Sequence, residues 1–167
     1  MTPRNNMTIT ILQANYNDEK HARHIIEMLD CYANDPMGGN KALPYYVAQN
    51  LVYELSRRKE AISILAYVEG QPAGLLNAFE GFSTFNCKPL INIHDLIVAT
   101  EFRGCSLSTK MLKMVEEIAI ERDCCKLTLE VLEKNYIAIN SYRKFGFHHY
   151  ELDPVMGKAE FWQKTLT

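Results

Sequence analysis

Asn135-Tyr136-Ile137-Ala138-Ile139-Asn140-Ser141-Tyr142-Arg143-Lys144-Phe145-Gly146-Phe147 is the stretch on which the reading of this chain turns. It predicts a short helix over 135–145. Asn135 suits the N-cap, because its side chain can accept from a first-turn N–H. Gly146 ends the helix, because glycine takes the left-handed conformation of a C-terminal cap without a Cβ penalty. Just upstream, 126–132 alternates Leu127, Leu129 and Val131 onto one face of a strand. Before that, Leu107, Met111, Leu112, Val115, Ile118 and Ala119 recur at helical spacing, so one amphipathic helix covers roughly 104–122.

That helix begins inside a second informative stretch, Asp95-Leu96-Ile97-Val98-Ala99-Thr100-Glu101-Phe102-Arg103-Gly104-Cys105-Ser106-Leu107-Ser108. It reads as a strand, a short connector and a helix start rich in small residues. Such a start offers unpaired N–H groups and the positive end of the helix dipole, which together suit a pyrophosphate. Arg103 adds a charge at its mouth. The residues by themselves leave an anion site and an ordinary strand-to-helix turn equally open.

Working outward, 8–14 alternates as a half-buried strand, and Asn17 or Asp18 can cap a helix carrying Ala22, Ile25, Ile26 and Leu29. Residues 34–40 form a Pro- and Gly-containing loop, and 44–58 a second helix. Segments 61–68 and 73–79 flank Glu69-Gly70-Gln71-Pro72, a hairpin connection, and 90–98 is a further strand. Two closing strands are expected near 147–152 and 159–165. The order is β-α-α-β-β-β-α-β-α-β-β, a mixed α/β (α+β) layer architecture in a single domain, 1–167.

With 167 residues, the chain is long enough for one real core. Its formal net charge of -2, from 18 basic and 20 acidic residues, argues against a nucleic-acid partner. The five cysteines are odd in number and form no C-x-x-C, which predicts free thiols in a reducing compartment. The amino terminus lacks a secretory h-region and no run reaches membrane-spanning length, so a cytoplasmic protein without a membrane partner is expected. His21 and His24, and the adjacent His148-His149, have no companion ligands, so no metal site is expected.

The pattern Asn-x-x-Ala-x-x-x-Tyr-x-Lys-x-Gly-Phe of 135–147 resembles the second conserved block of GNAT N-acetyltransferases. It lies downstream of an Arg-Gly loop with one helix and one strand between, as in that superfamily. The resemblance implies a central, mostly antiparallel sheet with a splayed parallel strand pair, flanked by helices. It also implies acetyl-CoA as cosubstrate and a homodimer. The family loop carries Gly or Ala at the fourth and sixth positions from the arginine, where this chain has Ser106 and Ser108. A serine there puts a Cβ and a hydroxyl where glycine lets backbone approach phosphate. Glu80–Phe85, Ile93–Val98 and Phe102–Gly104 are further similar to the spermidine/spermine (diamine) acetyltransferase branch, which carries Glu-Asp where this chain has His94-Asp95.

Carried over residue by residue, the resemblance assigns backbone contacts with pantetheine to Leu96, Ile97 and Val98. The pyrophosphate falls to Arg103, Gly104, Cys105, Ser106, Leu107, Ser108 and Thr109. Asn135, Ala138, Tyr142 and Lys144 also meet the cofactor. Tyr142 is the catalytic residue that protonates the departing thiolate, against the plainer role of a packed ring. Strand alternation sets His94 on one face with Asn92, Leu96 and Val98, and Asp95 on the other. His94 is a catalytic proton relay, since an imidazole can both accept and release a proton, or else a hydrogen-bonded structural residue. His94, Asp95 and Glu130 form the substrate side. The implied function is acetyl transfer to a primary amine of a small molecule, polyamine-like or amino-acid-like. A peptide or protein N-acetyltransferase and a non-catalytic acyl-CoA-binding regulator are the alternatives.

Overall fold

The computed structural model describes residues 7–150, 153, 155, 157 and 159–166. The chain falls into two compact units, Met1–Leu129 and Glu130–Thr167. In the first, the elements are β1 (Ile9–Gln13), α1 (Glu19–Ala33), α2 (Tyr45–Ser56), β2 (Ala61–Val68), β3 (Gln71–Ser83), β4 (Lys88–Val98), α3 (Leu107–Glu121) and β5 (Leu127–Leu129). The sheet runs in the order β1-β2-β3-β4-β5, antiparallel throughout except for the parallel β4–β5 pair. This is the expected mixed α+β sheet flanked by helices.

Local chemistry sets most boundaries. Asp18 Oδ1 accepts from His21 N–H at 2.9 Å and starts α1. Glu69 and Gly70 have φ of 49° and 77°, so the β2–β3 hairpin closes on two residues in a type I′ turn. The α3 helix begins at Leu107 rather than near 104, because Gly104 and Ser106 hold φ of 86° and 59°, outside the helical region.

The sheet is covered on both faces, which is why all eight residues of β2 are buried. On one face Ile25 and Met28 of α1 and Leu55 of α2 pack with Leu65, Leu75 and Ile97. On the other, α3 buries Leu107, Met111, Leu112 and Val115. Gly74 lets α3 come close: a Cβ there would stand 3.0 Å from Met111 Cε and 3.0 Å from the Ile97 carbonyl oxygen.

The second unit contains α4 (Tyr136–Phe145). The expected closing strands are not found among its described residues: 147–150 and 159–166 carry no strand, and 151 and 152 lie outside them. Apolar alternation makes a strand only where an edge is there to pair with it, and Phe161 and Trp162 are exposed. No described helix is long and apolar enough to cross a membrane.

Gly74→Val should lower stability by about 1–3 kcal/mol through overpacking between β3, β4 and α3. Urea denaturation followed by circular dichroism measures it; an unchanged midpoint would mean that α3 can shift away without loss.

Candidate active site

β4 pairs with β3 along its length except at one step. Asn77 stands opposite Asp95 and Ala78 opposite Ile93, so His94 is an extra residue without a partner on β3. Such a bulge reverses which backbone groups face which neighbour. Before it, Ile91 N–H donates to the Lys126 carbonyl at 3.2 Å, on the β5 side. After it, Ala99 N–H donates to the Ala73 carbonyl at 3.0 Å, on the β3 side. By alternation Ile97 faces β3, while the N–H groups of Leu96 and Val98 face the outer edge.

That edge has no partner strand among the described residues. β5 pairs with β4 only at Ile91, Ile93 and the residue between them. The strand expected over 126–132 therefore stops at Leu129, because its partner bulges away one residue later. The expected splay is thus a hydrogen-bonded start followed by an open edge over 94–98. Of the three residues assigned to pantetheine, Leu96 and Val98 present donors there, and Ile97 is spent on β3.

The bulge also corrects the expected opposition of His94 and Asp95. His94 meets the Phe79 ring edge-on, with centroids 5.0 Å apart. Asp95 Oδ2 accepts from Asn77 Nδ2 at 3.0 Å. Asn77 and Phe79 are two apart on β3 and share a face, so His94 and Asp95 point to the same side, toward α1 and α2. Tyr32 of α1 is close enough for the charge on Asp95 to raise its phenol pKa, after the larger effect of burial.

Beyond Val98 the chain turns through a 3-10 segment, Thr100–Phe102, into α3. Gly104 and Ser106 both have positive φ, and Ser106 makes no side-chain cap. Gly104, Ser106 and Thr109 are exposed, Cys105 and Ser108 half-buried and Leu107 buried. The Cys105 N–H is used locally, donating to the Phe102 carbonyl at 3.4 Å; the positive end of the α3 dipole at Leu107 is the feature here that suits an anion. Arg103 is partly committed elsewhere. Its Nε donates to the Val98 carbonyl at 3.3 Å and its Nη2 to Asp35 Oδ2 at 2.9 Å. The Met37 N–H and then this guanidinium hold the Asp35 carboxyl below the usual carboxylate range. Asp35 thereby ties the 34–40 loop to the α3 entry.

The remaining predicted residues belong to the second unit. Asn135 Oδ1 accepts from Ala138 N–H at 3.2 Å, a true N-cap. At the other end Gly146 has φ 116°, and the N–H groups of Gly146 and Phe147 both reach the Tyr142 carbonyl, at 3.1 and 3.0 Å. This is a Schellman cap, and its accompanying apolar contact is Tyr142 against Phe147, with centroids 5.9 Å apart. The Tyr-x-x-x-Gly-Phe spacing thus has a folding reason of its own. Lys144 and Glu130 are exposed.

Sequence reasoning missed Tyr16, Ser63 and Asn77, which join Asp95 across the sheet. For Ser63 and Asn77 the signal was a polar residue in the middle of an apolar strand; Tyr16, in the turn before α1, carried none. The tempting histidines have local partners: His21 accepts from Asn15 N–H, and His24 Nδ1 lies 2.9 Å from the Tyr67 hydroxyl. No group of three metal-capable side chains occurs among the described residues.

The two loop serines should respond oppositely to glycine. Ser106 occupies a left-handed conformation, so Ser106→Gly should stabilise by about 1 kcal/mol. Ser108 lies within the first turn of α3, so Ser108→Gly should destabilise by about 0.5 kcal/mol. Urea midpoints measured side by side decide it; equal shifts would contradict the left-handed assignment.

Comparison with known proteins bears on the family and the fold. The model of the acetyltransferase (GNAT) family matches residues 15–147. A thialysine N-epsilon-acetyltransferase of Bos taurus is 36% identical over 56 residues, 34% of this chain. That match spans only 33% of the relative's own length. An aminoglycoside acetyltransferase from an uncultured soil metagenomic sample, solved with trehalose, superposes with TM-score 0.75 at 17% identity, covering 95% of this chain and 97% of its own. An aminoglycoside N-acetyltransferase solved with CoA gives TM-score 0.75 at 16% identity, covering 99% of this chain and all (100%) of its own. The likeness to these structures is one of fold. The family match, running through most of the chain, goes further: this chain belongs to the acetyltransferase (GNAT) family.

Proposed function

We propose that the chain transfers the acetyl group of acetyl-CoA to a primary amine of a small molecule. The observation that carries this reading is the β4 edge, which loses its partner after Ile93 and leads through a turn with positive φ at Gly104 and Ser106 directly into the amino terminus of α3. The Leu96 and Val98 N–H groups suit the amides of a pantetheine arm, and one of them suits the thioester carbonyl, where negative charge develops on attack. The loop from Arg103 to Thr109 suits the pyrophosphate.

In this reading the amine nitrogen attacks the thioester carbonyl, the new C–N bond forms and the C–S bond breaks. The nitrogen gives up its proton through His94, and the departing thiolate takes one from the Tyr142 hydroxyl. Asn135, Ala138 and Lys144 serve the cofactor from α4. Asp95, with Glu130, receives the substrate ammonium. The side chains around Asp95 favour a small cationic acceptor, and the relative named for thialysine supports an amine on a short amino-acid-like chain. A diamine such as spermidine has the same chemistry.

Calorimetry should show CoA binding, and mass spectrometry should show one added acetyl group on thialysine or spermidine in the presence of acetyl-CoA. CoA binding without acetylation of any amine would overturn the enzymatic reading, and acetylation of peptides alone would replace the small acceptor. Tyr142→Phe keeps the ring against Phe147 and removes the hydroxyl. It should lower kcat by roughly ten- to ten-thousand-fold while leaving CoA affinity nearly unchanged. Undiminished turnover would leave Tyr142 only its place in the α4 cap.

A further inference from the structure

Three buried or half-buried polar groups run across the sheet on the α1 and α2 face and end on Asp95. Tyr16 Oη lies 3.0 Å from Ser63 Oγ, Ser63 Oγ donates to Asn77 Oδ1 at 2.7 Å, and Asn77 Nδ2 donates to Asp95 Oδ2 at 3.0 Å. Ser63 and Asn77 are only 1% and 4% exposed, in strands otherwise apolar at that depth. Burying such groups costs stability unless each is hydrogen-bonded.

The direction of the chain is forced. An ionised carboxylate only accepts, so the Asn77 amide must turn its NH₂ toward Asp95 and its oxygen toward Ser63. Ser63 then spends its single proton on that oxygen, so the Tyr16 hydroxyl is the donor to Ser63. Burial raises the Tyr16 pKa, which keeps that proton in place. Every donor therefore points toward Asp95, and each bond polarises the next.

The terminus differs from the rest of the chain. Asp95 is only partly buried, and it follows the bulged His94 on the strand with the open edge. Among the described residues its one hydrogen bond is to Asn77, on Oδ2, and no side-chain oxygen or nitrogen there is both buried and unpartnered. Its second oxygen is thus neither engaged by another described side chain nor fully buried.

We propose that Asn77, backed by Ser63 and Tyr16, is a positioning residue: it fixes the Asp95 carboxylate so that Oδ1 is presented to the ammonium of the acceptor. This rests on the reading of Asp95 as the acceptor seat. It adds that acceptor affinity is set by a residue of β3, one strand inward from Asp95, which does not touch the substrate. A cationic acceptor gains from a carboxylate with one oxygen already anchored, since less freedom is lost on binding.

The test measures amine binding without requiring turnover. Thialysine and spermidine are titrated by calorimetry into the CoA-saturated protein, and kcat and KM are measured with acetyl-CoA. Asn77→Leu should weaken amine binding and raise KM about ten- to a hundredfold, with CoA affinity within about twofold. The double variant Asn77→Asp/Asp95→Asn keeps an amide–carboxylate bond but moves the charge inward. It should regain the thermal stability lost in Asn77→Leu and leave amine binding weak. Wild-type amine affinity in Asn77→Leu, or its full recovery in the double variant, would overturn the positioning role and leave the chain a packing device. If the wild-type protein binds amines without acetylating them, the seat stands and the acetyl-transfer reading fails. If it binds neither amine, the acceptor reading fails and this proposal with it.

Discussion

One residue too many on β4 governs the site. The β3–β4 ladder absorbs His94 as a bulge, and from that point the outer backbone groups of β4 change parity and β5 no longer follows. The cost of abandoning a parallel pairing is contained, because β4 keeps its antiparallel partner to its end and its inner residues stay in the core. What remains is a short run of backbone donors with no partner strand among the described residues. Donors of that kind are stable only in water or against a ligand, since an unmet buried N–H costs about 1–3 kcal/mol. In the proposed function this edge is where the acyl carrier binds.

The two faces of the sheet divide the remaining work. Toward α3 the packing is apolar, and Gly74 brings the helix so near that its amino terminus is held firmly after the Val98 turn. Toward α1 and α2 the core admits a serine, an asparagine and a half-buried tyrosine, and their hydrogen bonds lead to Asp95. The Arg103–Asp35 pair joins the two sides by fastening the 34–40 loop to the α3 entry. It is half-exposed, so its value lies in holding a loop in place more than in stability.

Much of this was legible from local chemistry. The α3 stripe from Leu107 to Ala119, the Asn135 cap and the Gly146 terminus are encoded within a few residues each, and all three appear as read; the hairpin expected over Glu69-Gly70-Gln71-Pro72 is present but closes on Glu69 and Gly70, with Gln71 and Pro72 already paired in β3. The bulge was not legible in the same way. Ile91, Ile93 and Ile97 look like one face by alternation, yet Ile97 packs with Leu75 on the α1 side because His94 shifts the phase. The adjacent polar pair His94-Asp95 was the available signal. The length of β5 depends on where β4 turns away, and strands over 147–152 and 159–165 depended on an edge to receive them. The Tyr16–Ser63–Asn77–Asp95 chain links four distant segments, and only strand register brings them together.

The central claim is that the outer edge of β4 is the seat of the acyl carrier, and amide hydrogen exchange tests it residue by residue. Exchange is followed by NMR on nitrogen-15-labelled protein, with and without saturating CoA. The Leu96 and Val98 amides should exchange readily in the free protein and become strongly protected with CoA, while Ile97, already bonded toward β3, should hardly change. Equal protection of Leu96 and Val98 in both states would contradict the account.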